Sequence, residues 1–206
     1  TINGQKVQTI RAKDETTIVS TLVKPVEVNL DTSEPFKDFL KNDVYKGPEY
    51  TIWKQGGENS PYILVQTFND CPVFSKGQSE AASSGGQFPP GTLKINMKNG
   101  KIAGYEQSYL SLSTYQKKKD LIAPLNKAVF SLYKNDDILN NSTVKLIHLS
   151  YYNLIESDSD LGKVRLFVPT WHILVEENKT GKQKEFFVNA ITSGILTPIK
   201  QEQTGG

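Results

Sequence analysis

Thr92-Leu-Lys-Ile-Asn-Met-Lys-Asn-Gly-Lys-Ile-Ala-Gly-Tyr-Glu-Gln-Ser-Tyr109 is the stretch that decides the fold class. Leu93, Ile95 and Met97 alternate with Lys94, Asn96 and Lys98, the period of a strand with one buried face. Asn99-Gly100 supplies the two positive-φ positions of a type I′ turn, so Ile102 should return opposite Met97. Beyond the turn, Ala103, Tyr105, Gln107 and Tyr109 share one face of the return strand. An antiparallel hairpin is therefore predicted, and with it antiparallel sheet.

Upstream, Tyr50 to Trp53 and Tyr62 to Phe68 form a second hairpin candidate, punctuated by Gly56, Gly57 and Pro61. Between the hairpins, residues 75 to 91 carry four glycines and almost no apolar side chain, so a mobile surface loop is expected there. Ser33 can cap a short helix with Pro35 in its first turn and Phe36, Phe39 and Leu40 on one face, ending near Asn42. Residues 1 to 30 are polar and loosely alternating, which predicts a lead-in arm with at most an edge strand.

Downstream, Leu121, Leu125, Ala128, Val129 and Leu132 recur at helical spacing from Asp120 to about Lys134, with Pro124 in the first turn and Asn135 at the end. Strands are predicted at Val144 to Tyr152, Val164 to Val168, Trp171 to Val175 and Glu185 to Ala190, with a short closing strand from Ile195 to Ile199. Both halves thus run helix first and antiparallel strands after. The expectation is an α+β fold of two similar lobes, each a helix packed on an antiparallel sheet. Its divisions are an arm at 1–30, lobes at 31–112 and 113–200, and a tail at 201–206.

The chain has 206 residues and 23.0 kDa, enough for one medium domain or two small lobes. Lys+Arg 24 against Asp+Glu 22 gives a formal charge of +2, too balanced for the basic field that phosphate backbones demand, so nucleic acid is not expected as a partner. No stretch approaches the roughly 18 apolar residues of a spanning helix. Cys71 stands alone, which excludes an intrachain disulfide or a thiolate metal cluster. The start at Thr1, with no initiator Met, is expected to follow a removed leader or membrane anchor.

Several patterns invite a chemical reading. Ser131-Leu-Tyr-Lys134 fits S-x-x-K, Tyr151-Tyr-Asn153 fits Y-x-N and Lys179-Thr-Gly181 fits K-T-G, in the order used by penicillin-recognising enzymes. The context is wrong: that chemistry needs the serine at the start of a buried helix, whereas Ser131 falls in a last turn and Lys179-Thr-Gly181 in a hairpin turn. No enzyme is expected. His148 and His172, the only histidines, are each expected as surface or hydrogen-bonded side chains on strands, because a metal would need more ligands. Glu156, Asp158 and Asp160 mimic a calcium loop, but Leu161 replaces its glycine and Phe167 its terminal glutamate, leaving an acidic turn. Cys71 reads as a small hydrophobe, and Lys117-Lys-Lys119 as a solvated charge run. No catalytic, cofactor or metal residue is assigned.

Gly104-Tyr-Glu-Gln-Ser-Tyr109, the helix bearing Lys127-Ala128 and Leu132-Tyr133, Leu149-Ser-Tyr-Tyr152, Pro169-Thr-Trp171 and Phe187-Val-Asn-Ala190 together resemble the YycI (WalI) family, accessory proteins of the YycG/WalK sensor histidine kinase in Gram-positive bacteria. The likeness runs from about Leu93 to Ile199. One departure is local: the family's Val-Asn-Ala is followed by two residues and Gly, but here Ile191, Thr192 and Ser193 precede Gly194. The positions carried over, as structural or interaction residues, are Tyr105, Gln107, Tyr109, Tyr133, Tyr151, Tyr152, Pro169, Trp171, Phe187 and Asn189. The resemblance implies no catalytic residues and no cofactor. It implies a single-pass protein of the cell membrane whose extracytoplasmic domain is this chain. The implied partners are a YycH-like protein and a YycG/WalK-type kinase governing cell-wall metabolism. The strand bearing Trp171 and the Val-Asn-Ala strand also look like PepSY modules. The alternative is thus a free-standing exported PepSY-like module that binds a cell-wall ligand or inhibits a protease.

Overall fold

The computed structural model describes residues 6–7, 10–30, 32, 34–78, 88–115, 120–135, 138, 141–159 and 162–196. Strand dominates them: 58% against 14% helix, in a β-rich fold built on a large mixed sheet. This corrects the expected α+β pair of helix-on-sheet lobes. The physical reason lies in strand length. The strands run on through polar residues and prolines at which a reading by apolar periodicity stops.

The chain folds into two compact units that interleave in sequence. The larger takes Thr9–Tyr115 and Tyr151–Phe167, and the smaller takes Thr1–Gln8, Gln116–Ser150 and Val168–Gly206.

In the larger unit, β2 (Ile10–Glu27), β3 (Tyr50–Lys54), β4 (Tyr62–Phe68), β5 (Cys71–Phe74), β6 (Thr92–Lys98) and β7 (Lys101–Thr114) surround helix α1 (Lys37–Asp43). The β6–β7 hairpin has the expected register, Met97 opposite Ile102, with Asn99 and Gly100 at φ 52° and 72°. The β3–β4 hairpin also forms, Tyr50 opposite Gln66. The lead-in arm does not: β2 is a long strand with partners on both sides, β7 along most of its length and β10 (Gly162–Glu177) at Ile10 to Ala12. Its alternation is real but one-sided, because Ile18, Leu22 and Val26 reach the core while Thr17, Val19 and Thr21 stay exposed. Pro25 lies inside a register shift between Thr21 and Val26, where a missing N–H costs no ladder bond. Gly104 is required opposite, since a Cβ there would fall 2.4 Å from the Ser20 carbonyl oxygen.

Phe36 and Phe39 of the α1 region are buried against Tyr62, Leu64, Ile95 and Tyr105. The expected cap, Ser33, lies outside the described residues; Phe36 occupies the N-cap with no side-chain bond. Of the expected loop at 75 to 91, residues 79 to 87 lie outside the described residues. Its described ends are not a solvated loop. Gln78 is buried, donating from Nε2 to Thr92 Oγ1 at 3.0 Å and accepting the Ser75 N–H at 2.9 Å.

In the smaller unit, α2 (Leu125–Lys134) lies with parts of β9 (Ser142–Ser159) and β10, with β11 (Gln183–Asn189), and with the short pair β1 (Lys6–Val7) and β8 (Asp120–Leu121). The helix starts later than expected, with Pro124 at its N-cap, because Asp120-Leu121 is committed to β8. Ala128 and Leu132 are buried against Trp171, Ile173, Phe186 and Val188. The two strands expected at 164–168 and 171–175 are one, β10. Pro169 sits between the residues that pair with β2 and those that pair with β11, a point where a lost donor is tolerated. Beyond β11, Ile195 bridges Val188 and Leu196 donates to Phe187; positions 197–199 lie outside the described residues.

Candidate functional site

Within the larger unit, three of the carried-over residues do one job. Tyr105, Gln107 and Tyr109 alternate down one face of β7, and each reaches the segment that leaves α1. Tyr105 donates to the Asp43 carbonyl (3.2 Å), Gln107 Nε2 to the Tyr45 carbonyl, and the Tyr109 hydroxyl to Glu49 Oε2 (2.8 Å). Tyr50 adds a bond to the Ser108 carbonyl at 2.8 Å. Burial and the Glu49 carboxylate both push the Tyr109 hydroxyl well above its ordinary value, so it remains a donor. Tyr151 and Tyr152 are buried on β9, in parallel pairing with Val73 and Phe74. Burial raises the Tyr151 hydroxyl to about 12.

Beside the Tyr109–Glu49 bond lies a pocket of about 430 Å³, lined by Glu49, Phe68, Asn69, Asp70, Tyr109 and Leu112 among others. Asn69 and Asp70 both have positive φ, the conformation of the tight β4–β5 turn that forms its rim.

Within the smaller unit, Pro169 accepts the Ala190 N–H at 2.8 Å, and Trp171 donates from Nε1 to the Ala123 carbonyl at 3.3 Å. Asn189 Oδ1 accepts the N–H groups of Ile191 and Thr192. Ser193, at φ 62°, takes a left-handed conformation and donates its N–H to the Asn189 carbonyl at 2.8 Å. Tyr133 differs from the other carried-over positions in that its ring is 49% exposed, on the outer face of α2 beside Phe130 at 64%.

Phe187 leads to a cluster that sequence reasoning did not assemble. Its ring stacks on His172, centroids 4.8 Å apart and planes within 10°. His172 Nδ1 lies 3.1 Å from His148 Nε2, and His172 Nε2 lies 3.4 Å from Glu185 Oε1. His172 is fully buried and meets His148, the hydrogen-bonded alternative of the expectation and not the surface one. Burial, then the neighbouring His172, push His148 down to about 4, with Glu185 opposing. The only sequence signal was that these are the chain's two histidines; the strand register that joins them is not local information.

The serine constellation does not assemble within a unit. Ser131 and Lys179-Thr-Gly181 belong to the smaller unit, Tyr151-Tyr-Asn153 to the larger. The Ser131 hydroxyl donates to the Lys127 carbonyl at 3.0 Å, a helix-backbone bond, and Lys179-Thr-Gly181 occupies the β10–β11 turn. Glu156 and Asp158 lie on β9, not in the expected acidic turn; Asp160 and Leu161 fall outside the described residues, as do Lys117-Lys-Lys119. Burial raises the Cys71 thiol, consistent with an inert side chain. Among the described residues no group of three or more His, Cys, Asp or Glu could hold a metal ion, and no helix is long and apolar enough to cross a membrane.

Fold and site together define a β-rich domain whose polar residues largely fasten its own strands. The family model for the YycI protein matches residues 1–191, and the chain belongs to that family. It is a family of accessory regulators in the YycG/WalK kinase pathway, and an extracytoplasmic accessory domain is the kind of domain it describes. No curated protein matches the chain. Among solved structures, the Bacillus megaterium YpeB C-terminal domain matches with 11% identity and a TM-score of 0.41, covering 93% of this chain and 85% of that one.

Proposed function

We propose that this domain is the extracytoplasmic part of a membrane-anchored accessory protein that regulates the YycG/WalK-type kinase by protein–protein binding, together with a YycH-like partner. The observation that carries the reading is the family match along nearly the whole chain. A formal charge of +2 provides no long-range steering, so recognition rests on local contacts, and a shared membrane would raise the effective concentration of weak ones. To regulate, the domain must bind one kinase conformation better than the other. Ten carried-over residues supply candidates: Tyr105, Gln107, Tyr109, Tyr151, Tyr152, Pro169, Trp171, Phe187 and Asn189 act by holding the scaffold. Tyr133, with Phe130, is the pair we assign to partner contact.

The test measures kinase output in cells carrying the full-length protein, its anchor alone, or this domain exported without an anchor. Output should change with the full-length form, and F130A/Y133A should weaken that change without altering folding. If the full-length protein leaves output equal to that of a deletion strain, the reading fails.

A further inference from the structure

The only two histidines in the chain meet on neighbouring strands, ring nitrogens 3.1 Å apart, one of them fully buried. At that separation one proton fits between the rings: one nitrogen donates it and the other accepts it. If both rings carry both protons, the facing nitrogens are both donors, and two positive charges face each other with only the His148 side partly open to water.

The surroundings determine how much charge the pair tolerates. By strand alternation His148 shares its side of β9 with Leu146 and Ser150, since Ile147 and Leu149 turn to the cluster under α2. From β10, Thr170 and Leu174 flank His172 on the same side, and Ser150 Oγ donates to the Thr170 carbonyl at 3.1 Å. From β11 come the apolar ring of Phe187 and one carboxylate, Glu185. The next charges along the sheet neutralise each other: Lys145 Nζ lies 3.3 Å from Glu176 Oε1, and Gln183 holds the other oxygen of that carboxylate. On α2, Lys127 and Lys134 are exposed to solvent. Glu185 can therefore offset a first added charge, while a second sets the two rings against each other at 3.1 Å.

We propose that the His148–His172 pair is an acid-responsive latch between β9 and β10, which fastens the smaller unit's sheet while the pair holds a single shared proton and releases it when a second charge is forced in. Release would free the strand segment Ser142–Ser150, which carries the exposed apolar side chains Val144 and Leu146. The inference concerns the opening of this unit and holds or fails independently of the kinase reading.

With only two histidines, imidazole NMR gives two signals and no ambiguity of number. The chain would be titrated from pH 8 to pH 4 while amide exchange is followed along β9 and β10. Trp171, beside His172, would serve as fluorescence reporter in a W53F background. The expected result is coupled titration, with the lower step coinciding with lost protection at Ser142–Ser150 and Val168–Glu177. H148Q keeps a hydrogen-bonding head without a titrating one. Its protection at pH 4.5 should exceed that of the unsubstituted chain by about tenfold. Opening at the same pH in H148Q would overturn the latch. Should H148Q not fold, the unsubstituted chain still decides: protection that stays intact at Ser142–Ser150 down to pH 4 refutes the proposal.

Discussion

Each unit joins strands through a buried side chain, but the two joints use different chemistry. In the larger unit, Gln66 of β4 donates from Nε2 to the Leu110 carbonyl (2.8 Å) and accepts the Leu110 N–H at Oε1 (2.9 Å). Its amide replaces a strand residue just ahead of the start of β6, and the Gln66 N–H goes to the Gly91 carbonyl. In the smaller unit, β9 and β10, already paired as strands, also meet through two imidazoles. An amide cannot titrate, so the first joint is indifferent to pH, whereas the second is opposed once both rings carry a charge. Two polar contacts of similar length thus give one joint independent of pH and one dependent on it.

Breaking the unconditional joint should have the largest effect. Q66L leaves the Leu110 N–H and carbonyl buried without partners, and should cost about 3 kcal/mol in urea unfolding. The loss should be the same at pH 5 and pH 8; a loss that varies with pH would erase the contrast.

The second prediction concerns the conditional joint. The fold holds His148 below its ordinary 6.5, near 4, so it favours the neutral ring. Stabilisation is then complete above pH 6.5 and is lost as the pH falls toward 4. After allowance for partial exposure, the loss should be about 2 kcal/mol. H148Q should remove this slope while changing neutral-pH stability little, as measured by unfolding at pH 7 and pH 4.5. Glu106, held low chiefly by its bond to Lys94, also loses stabilisation in acid, but does so in both proteins and cancels in the comparison.

Smaller again is Y109F, which removes the half-buried bond to Glu49 and should cost about 1 kcal/mol. Its effect should appear as faster exchange between residues 43 and 49, with β7 itself unchanged. Smallest is K101A. The Lys101–Glu27 pair is 2.7 Å long but open to water, and its loss should leave the unfolding midpoint unmoved.

The parts legible in the sequence were those whose signal is local. Alternation around Asn99-Gly100 gave the Met97–Ile102 pair of the β6–β7 hairpin, though not the register shift that follows at Asn96, and the Ala128–Leu132 stripe gave α2. Longer strands were harder. Pro25 and Pro169 each lie at a shift or change of strand partner, where a ladder tolerates proline, so β2 and β10 run on through them. Arm and lobes were misjudged for the same reason: β2 buries only alternate residues, and its partners are distant in sequence. Of the site, the motif on β7 was readable as one face, but its role in holding residues 43 to 49 depends on where α1 comes to rest. The histidine pair depends wholly on how β9 and β10 are aligned.

The position of β2 bears on the order in which the molecule can be made. Its end at Ile10 to Ala12 pairs with Phe167 to Arg165, so this strand meets one neighbour only after the residues up to Phe167 have been made. A chain emerging N-terminus first carries that edge unpaired, exposed to any other extended segment in the interval. Pairing across nearly the whole sequence also makes a slow final step. Quality control during production should therefore be most sensitive to conditions that delay the arrival of β10.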